Sequence, residues 1–390
     1  MHKFLSLMLA MVLLLSPALC EEDTEISLSD ILQNANQGVV DMTLTGTPTP
    51  TPDPNATPTA EPTATPRAVE ADGSVLITLS AIGNIAIGYD DRADDDLFAQ
   101  QLIENGGNYG FFLQNTKDIF TADDATIAAF TGTLTNSTYL PSTLSESEPI
   151  FRMPLTSANV FKDGGIDVVA LENDHVLCHG QEGFQDTQKA LRDAGVIAST
   201  TAIRGVFTAK GIPLCLLSYH VTDPSDMSVY QQLKSDLAIS CAEYPAVIVA
   251  FHWGDERAYV PSEAQTLLAH YAVDNGAALV LGSHSEHIQP IELYNGAYIC
   301  YSLGNFVDSA EANPADMTSF IVQVRLRVLD GRATSEDIRI IPIRISGRPE
   351  SNTLIPTPLD KATALDSIVA MLLENSKGLT HALTEYPLSW

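Results

Sequence analysis

The sequence predicts a layered α/β fold with at least one mixed sheet. Its 390 residues are 45% hydrophobic, which is enough for one large domain of about 300 residues plus tails. Short apolar runs rich in β-branched residues alternate with helix-like patterns, and about eight strands and five or six helices follow in mixed order. Three of the buried strands end in a histidine, which indicates a shared site.

The first twenty residues predict a signal peptide. Lys3 precedes an apolar run over residues 4–15, which is too short to span a bilayer stably. Cys20 allows two interpretations, either the end of an ordinary cleavage site or the lipidated first residue of a lipoprotein. Both predict an exported protein, extracellular or associated with the cell envelope, whose only membrane attachment is a possible lipid anchor at Cys20, since no later apolar run approaches the length of a span.

Residues 21–45 form a short N-terminal segment with a marginal helical pattern. Residues 46–72 are rich in threonine and proline, which is typical of an extended linker without a core. We therefore expect the folded domain to cover residues 73–390. Four cysteines, Cys178, Cys215, Cys241 and Cys300, lie in this part without CxxC spacing, and no disulfide is predicted from them.

The charge of the chain restricts its partners. The formal net charge is −29, and residues 73–390 hold 39 acidic against 18 basic side chains. Such a surface argues against binding nucleic acid or anionic lipid. A polyanionic ligand would have to be met locally by a metal or by a few bases.

The elements follow in order from residue 75. A strand over residues 75–82 should end in the turn Gly83–Gly88, and the acidic run at 90–96 is interpreted as a solvated surface. The remaining pattern predicts helical pieces at 97–102, 115–120, 226–239, 261–273 and 359–373, and strands at 125–130, 212–219, 246–251, 277–281, 297–306, 319–329 and 337–345, the last two joined by a hairpin turn at Asp330-Gly331.

The most informative stretch is a predicted βα unit over residues 165–195. An apolar run at 166–171 leads into Glu172, Asn173, Asp174 and His175, and a helix then runs to Gly195. Open α/β sheets place their sites in loops of this kind. Since two later strands lead into His252 and His284, we expect these polar groups to meet at the carboxyl ends of the strands.

These residues resemble the capsule-synthesis CapA proteins, or poly-γ-glutamate synthesis proteins, of the calcineurin-like metallophosphatase superfamily. The resemblance covers residues 75–345 and is carried by HWG at 252–254, GSHSEHIQPIE at 282–292 and YSLGNF at 301–306. It implies a four-layer αββα metallophosphatase-like sandwich with mixed sheets. It also implies a metal site at the carboxyl ends of the central strands and a role with an anionic envelope polymer or its synthesis machinery.

The resemblance also implies roles for individual residues. His175 corresponds to the catalytic acid, the metal ligands fall on Asn84, Asp174, His252, His284 and Glu286, and Asn173 and Asn305 support them. Two carboxylates of the family pattern are missing, because Asn84 and Thr131 stand in their places. The acids at 172, 174 and 286 are candidates to compensate.

Two functional hypotheses remain open from the sequence. In the first, Asp174, His252, His284 and Glu286 hold one divalent metal, Mn²⁺, Zn²⁺ or Fe²⁺, and His175 protonates the leaving group of a phosphoester or amide. In the second, the chain keeps the fold without the catalysis and acts as a binding or assembly module at the cell envelope. The lost carboxylates favour the second hypothesis, and the three histidines favour the first.

Overall fold

The computed structural model describes residues 69–88, 96–140 and 150–390. The predicted signal peptide with Cys20, the segment 21–45, almost all of the linker and most of the acidic run lie outside the described residues. Within the described ranges, no helix has the length and apolar character needed to cross a membrane.

The described residues form sixteen strands, twice the predicted number. In chain order these are β1 (Val75–Ala86), β2 (Ala125–Thr131), β3 (Thr133–Leu134), β4 (Arg152–Met153), β5 (Val168–Ala170), β6 (Ile197–Ser199), β7 (Gly205–Ala209), β8 (Ile212–Val221), β9 (Ala246–Trp253), β10 (Leu279–His284), β11 (Ile291–Tyr294), β12 (Ala297–Cys300), β13 (Asn305–Asp308), β14 (Thr318–Leu329), β15 (Arg332–Arg344) and β16 (Thr357–Pro358). Most of the strands that the sequence did not predict have two to five residues, too few for a periodic pattern to show.

Except for a short helix over residues 159–164, which the sequence did not predict, the helices lie close to their predicted positions. They are α1 (Leu97–Glu104), α2 (Lys117–Phe120), α3 (Asn159–Gly164), α4 (Gly180–Ala194), α5 (Met227–Glu243), α6 (Glu263–Asp274) and α7, in which a π turn at Leu365–Val369 joins Lys361–Ala364 to Ala370–Asn375. Ser262 caps α6 in a reciprocal capping box with Gln265, and Gly195 ends α4 in the left-handed conformation.

Two mixed sheets dominate the fold. The larger has the order β16-β15-β14-β1-β2-β5-β6, with β13 also paired to β1, and the smaller has the order β11-β12-β10-β9-β8-β7. In the larger sheet β1, β2, β5 and β6 are parallel, whereas β14, β15 and β16 are antiparallel to their neighbours. In the smaller sheet β8, β9, β10 and β12 are parallel.

Three apolar layers separate these sheets and helices. The inner layer packs the facing surfaces of the two sheets and includes Ile77 of β1 and Ile248 of β9. On β9 the alternate residues Val247 and Val249 point the other way and pack with Leu237 of α5. A third layer covers the outer surface of the larger sheet with α1 to α4. The order is helices, sheet, sheet, helices, so the predicted four-layer αββα sandwich is confirmed.

The first predicted turn is wrong. Gly83 and Asn84 lie inside β1, which continues to Ala86, and the pairing register of the strand shifts around Asn84. At this end β1 pairs with β2 on one side and with β13 on the other, and both pairings shift register around Asn84. A bulge of this kind redirects the side chain at the shift, and here that side chain is Asn84.

The single strand predicted over residues 297–306 is also wrong. It is divided into β12 in the smaller sheet and β13 in the larger sheet, so residues 301–304 cross between the sheets. Two glycines admit this crossing segment: a Cβ on Gly83 would lie 1.9 Å from the Gly304 oxygen, and one on Gly282 would lie 1.8 Å from the Tyr301 oxygen. The crossing therefore joins the two sheets beside the candidate site.

The predicted hairpin turn is confirmed. Asp330 and Gly331 form the two-residue turn between β14 and β15, both with positive φ. Of the four described cysteines, only Cys241 is exposed. The strand predicted over residues 212–219 extends to Val221, so His220 lies within β8.

Candidate metal centre

The carboxyl ends of strands from both sheets meet at a cavity of about 780 Å³. The larger sheet contributes the ends of β1 and β2 and the loop that follows β5, and the smaller sheet contributes the ends of β9 and β10. The lining residues include Asn84, Thr131, Asp174, His175, His252, His284, Glu286 and Asn305. The structure therefore places almost all of the predicted site residues around one space.

Asp174, His252 and His284 form the tightest group. Each offers one ligand atom, and these atoms all lie within 4.8 Å of one another. Nε2 of His252 is 2.9 Å from Oδ1 of Asp174, and Nδ1 of His284 is 3.7 Å from Oδ2. One carboxylate and two imidazoles at these separations fit the nitrogen and oxygen ligands of a divalent transition metal.

The second ring nitrogen of His252 supports this assignment. Nδ1 lies 3.2 Å from the Ser283 hydroxyl, which in turn donates to the Phe251 carbonyl oxygen. A histidine that binds a metal with one nitrogen is commonly oriented through the other. The imidazole is therefore held with Nε2 directed toward Asp174.

Burial and charge fix the protonation of this pair. Burial lowers the pKa of His252 to about 4, although the hydrogen bond to Asp174 acts in the opposite direction. Burial alone would raise the pKa of Asp174, but the hydrogen bond and charge of His252, together with His175 and His284, hold it below its usual value. A neutral imidazole and an ionised carboxylate are the forms that bind a metal.

His175 lies at the edge of this group. Its Nε2 is 3.6 Å from Oδ2 of Asp174, its Nδ1 is 3.6 Å from Sγ of Cys178, and its ring packs edge-on against Phe151 at 5.4 Å between centroids. The side chain is 14% exposed, so it reaches the cavity while its orientation is restricted. This position suits a group that exchanges a proton with a bound molecule.

Asn84 belongs to a separate, largely neutral group. Its amide nitrogen donates to Oδ1 of Asn305, its amide oxygen accepts from the Thr131 hydroxyl at 3.4 Å, and the Asn305 amide donates to Asp308. Asp308 was missed by the sequence reasoning, although it stands two residues after the GNF motif. Burial raises its pKa to about 6.

Three predicted acids or amides behave differently from the metal group. Asn173 does not line the cavity, because its amide donates to the Phe130 and Leu171 carbonyls and its oxygen accepts from the His175 amide. Glu172 accepts from the Thr201 amide and does not line the cavity either, so it does not compensate for a missing ligand. Glu286 lines the cavity but is outside the tight group and lies 3.6 Å from Arg257.

Another part of the cavity lining was not predicted from the sequence. It includes Arg257, Tyr259, His287 and Asp316, and the Tyr259 ring stacks on His287 at 4.1 Å and donates its hydroxyl hydrogen to Asp316. Arg257 and Tyr259 follow the HWG motif in the sequence, which is the one signal that could have drawn attention to them.

The fold and this site define an α/β protein of two packed sheets with a candidate mononuclear metal centre at the strand ends. The family model described as "Bacterial capsule synthesis protein PGA_cap" matches residues 78–310, more than half of the chain. The chain therefore belongs to this family, as its motifs predicted.

Two curated relatives carry names related to this family. The chain is 27% identical to "PGA biosynthesis protein CapA" of Bacillus subtilis over 60% of this chain and 63% of that protein. It is 30% identical to "Capsule biosynthesis protein CapA" of Bacillus anthracis over 51% of this chain and 52% of that protein. The chain thus spans between half and two thirds of the length of these relatives.

Among solved structures, the chain is similar to the "calcineurin-like phosphoesterase YfkN from Bacillus subtilis", with 13% identity and a TM-score of 0.43. The match covers 78% of this chain and all of that one. A likeness this remote carries no weight for the fold or the site described above.

Proposed function

We propose that this protein takes part in the synthesis or export of a poly-γ-glutamate type envelope polymer and carries a one-metal hydrolytic site. Membership of the capsule synthesis family and the names of the two CapA relatives support the polymer. The convergence of Asp174, His252 and His284 within 4.8 Å supports the metal, and it is the observation on which the proposal rests.

The proposed chemistry divides between three ligands and one acid. Asp174, His252 and His284 would hold the ion, which supplies a polarising charge for attack by water on a phosphoester or an amide. His175 would deliver a proton to the leaving group, since its ring borders the cavity and is fixed by Phe151. The buried position of His252 keeps water away from one side of the metal group.

The ligand types favour Mn²⁺, Zn²⁺ or Fe²⁺, because a mixed set of imidazole and carboxylate suits these ions. One ion is expected in preference to two. A second ion would need anionic ligands beside Asn84, and the side chains bonded directly to Asn84 are the neutral Thr131 and Asn305.

That neutral group favours one alternative function. Asn84, Thr131 and Asn305 satisfy each other by hydrogen bonds at the place where the family resemblance implies carboxylate ligands. A protein with this arrangement and no bound metal would serve as a binding or assembly module of the polymer machinery. Both versions place the protein outside the cytoplasmic membrane, either released or anchored through Cys20.

Elemental analysis of the purified full chain tests the proposal. After dialysis against trace Mn²⁺ and Zn²⁺, the wild-type protein should hold about one ion per chain, and His252→Ala should hold far less. His381→Ala is the matched control, because His381 is exposed and lies outside the cavity. A folded wild-type protein without metal, or equal metal content in His252→Ala, would reject the hydrolytic site and leave the binding module.

Export can be tested separately. Fractionation of cells that express the full chain should place the protein outside the cytoplasm, and mass spectrometry of its first residue distinguishes a lipid-modified Cys20 from ordinary cleavage. An intact N-terminus on a protein retained in the cytoplasm would contradict the proposed location.

A further inference from the structure

The candidate cavity is strongly acidic, although the proposed polymer is anionic. Its lining includes one arginine, Arg257, and no lysine among the described residues. The acidic side chains on the same lining are Asp174, Glu256, Glu286, Asp308, Glu311 and Asp316. An anionic group that enters the cavity can therefore be bound by the candidate metal, by the histidines or by Arg257.

The backbone of Arg257 is held in an uncommon conformation. Its φ is 61°, which is rare for a residue with a long side chain, and Glu286 facing it has a φ of 61° as well. The Arg257 amide donates to the Ser285 carbonyl, and the Arg257 carbonyl lies 3.0 Å from Nδ1 of His287. These contacts anchor the residue to the loop that follows His284, one of the candidate ligands, and strain of this kind is concentrated at functional sites.

The guanidinium group of Arg257 makes only weak ion pairs. Nε lies 3.6 Å from Glu286, one terminal nitrogen lies 3.6 Å from Glu311, and the side chain is 69% exposed. Exposed ion pairs at this distance contribute little, whereas a guanidinium that binds an oxyanion through two parallel hydrogen bonds makes a short, strong contact. A bound oxyanion can therefore replace the two carboxylates at small cost.

We propose that Arg257 is a specificity-determining residue that binds an oxyanion, a carboxylate or a phosphate, of the molecule that occupies this cavity. This inference rests on the proposed function, since it names a chemical group of the substrate proposed to enter this cavity. The cavity has room for a ligand larger than an ion, because its volume of about 780 Å³ is in the range of small-molecule sites.

The test measures binding of two probes to the full chain loaded with Mn²⁺. The probes are inorganic phosphate and a short γ-glutamyl oligomer. Calorimetry measures the affinity for each probe, and the metal content of the protein is measured in parallel. Arg257→Gln should weaken binding of whichever probe the wild type binds by about tenfold or more. Arg348→Gln, which removes the same charge from an exposed position outside the cavity, should leave binding unchanged.

A second pair of variants tests whether the ion pair between Arg257 and Glu311 is weak. Glu311→Gln removes a carboxylate that is paired with Arg257, and Glu256→Gln removes the same charge from another part of the lining. Because the pair of Arg257 with Glu311 is weak, both variants should strengthen probe binding by a similar small factor. A clearly larger gain in Glu311→Gln than in Glu256→Gln would show that Glu311 competes with the probe for Arg257 and would contradict the weak pairing.

The two proposals fail in different ways. If the wild type holds metal and binds a probe, and Arg257→Gln binds it equally, the inference is overturned and the metal site stands. If the wild type holds no metal but loses probe binding on Arg257→Gln, the inference stands and the hydrolytic site is rejected. A wild-type protein that binds neither probe overturns the inference as well.

Discussion

Nε2 of His252 lies 2.9 Å from Oδ1 of Asp174, although the two residues belong to different sheets. Asp174 follows β5 of the larger sheet, and His252 lies near the end of β9 in the smaller sheet. The candidate metal centre therefore exists only where the two sheets meet. Each of the following predictions tests one part of that arrangement.

Asp174→Asn should weaken metal binding by at least about tenfold, because an amide replaces the one carboxylate of the tight group. The measurement is a titration of the metal-free protein with Mn²⁺ and Zn²⁺. Asp255→Asn, an exposed acid close to the cavity in sequence but outside its lining, is the control and should bind as the wild type does. Equal affinities of the two variants would exclude Asp174 as a ligand.

The contribution of His252 to the stability of the metal-free protein should fall as the pH falls from about 6.5 to 4. Burial lowers the pKa of His252 to about 4, so the unfolded chain binds the proton first and the neutral imidazole stabilises the fold fully only above pH 6.5. The loss is at most about 3 kcal/mol for a shift of this size.

His252→Gln should reduce this dependence, since an amide donates to Asp174 without titrating. Thermal unfolding of both proteins between pH 4 and 7 provides the comparison. Burial raises the pKa values of Asp123 and Asp308 to about 6, so these two groups add stability as the pH falls. Their contribution is the same in both proteins and cancels when the two stabilities are compared. Parallel curves for the two proteins would contradict the prediction.

Asn84→Asp should lower the melting temperature of the metal-free protein and raise its metal content. The new carboxylate would join Asn305 and Asp308 in one group, where like charges repel unless a cation is bound. Unfolding with and without Mn²⁺ measures the effect, and Asn84→Ala controls for loss of the amide. A stability of Asn84→Asp that Mn²⁺ does not change would show that no ion binds beside residue 84.

Gly83→Ala should destabilise the fold by roughly 3 kcal/mol, because its Cβ would lie 1.9 Å from the Gly304 oxygen and backbone would have to move. Gly378→Ala is the matched control, since no atom lies within 4 Å of the Cβ that it would add. Thermal or urea unfolding distinguishes the two variants. If both lose the same stability, the close approach of the crossing segment to β1 is not significant.

The sequence was sufficient to predict the layered fold, because long apolar strands and amphipathic helices carry clear periods. It also identified the histidines, since His252 and His284 each stand at the end of a buried strand. The position of Asn84 was predicted less well. A glycine-flanked stretch is typical of a turn, and it stays in a strand because β2 pairs with it on one side and β13, more than 200 residues later in the chain, pairs with it on the other.

The part of the cavity lining around Arg257 could not be predicted for a different reason. Arg257 and Glu286 meet through unusual backbone conformations at two loops, and no periodic pattern encodes them. Asp308 reaches the site only because residues 301–304 cross between the sheets. Tertiary contacts of this kind determine where a polar residue lies, and local sequence does not.

The crossing of residues 301–304 has a mechanical consequence. It joins the smaller sheet to the larger one at the same end where Asp174, His252 and His284 meet. Sliding of one sheet over the other would change the spacing of the three ligand atoms, and the crossing segment opposes that movement. The spacing of the ligand atoms therefore depends on how the two sheets are aligned, and substitutions deep in the apolar layer between the sheets can change it.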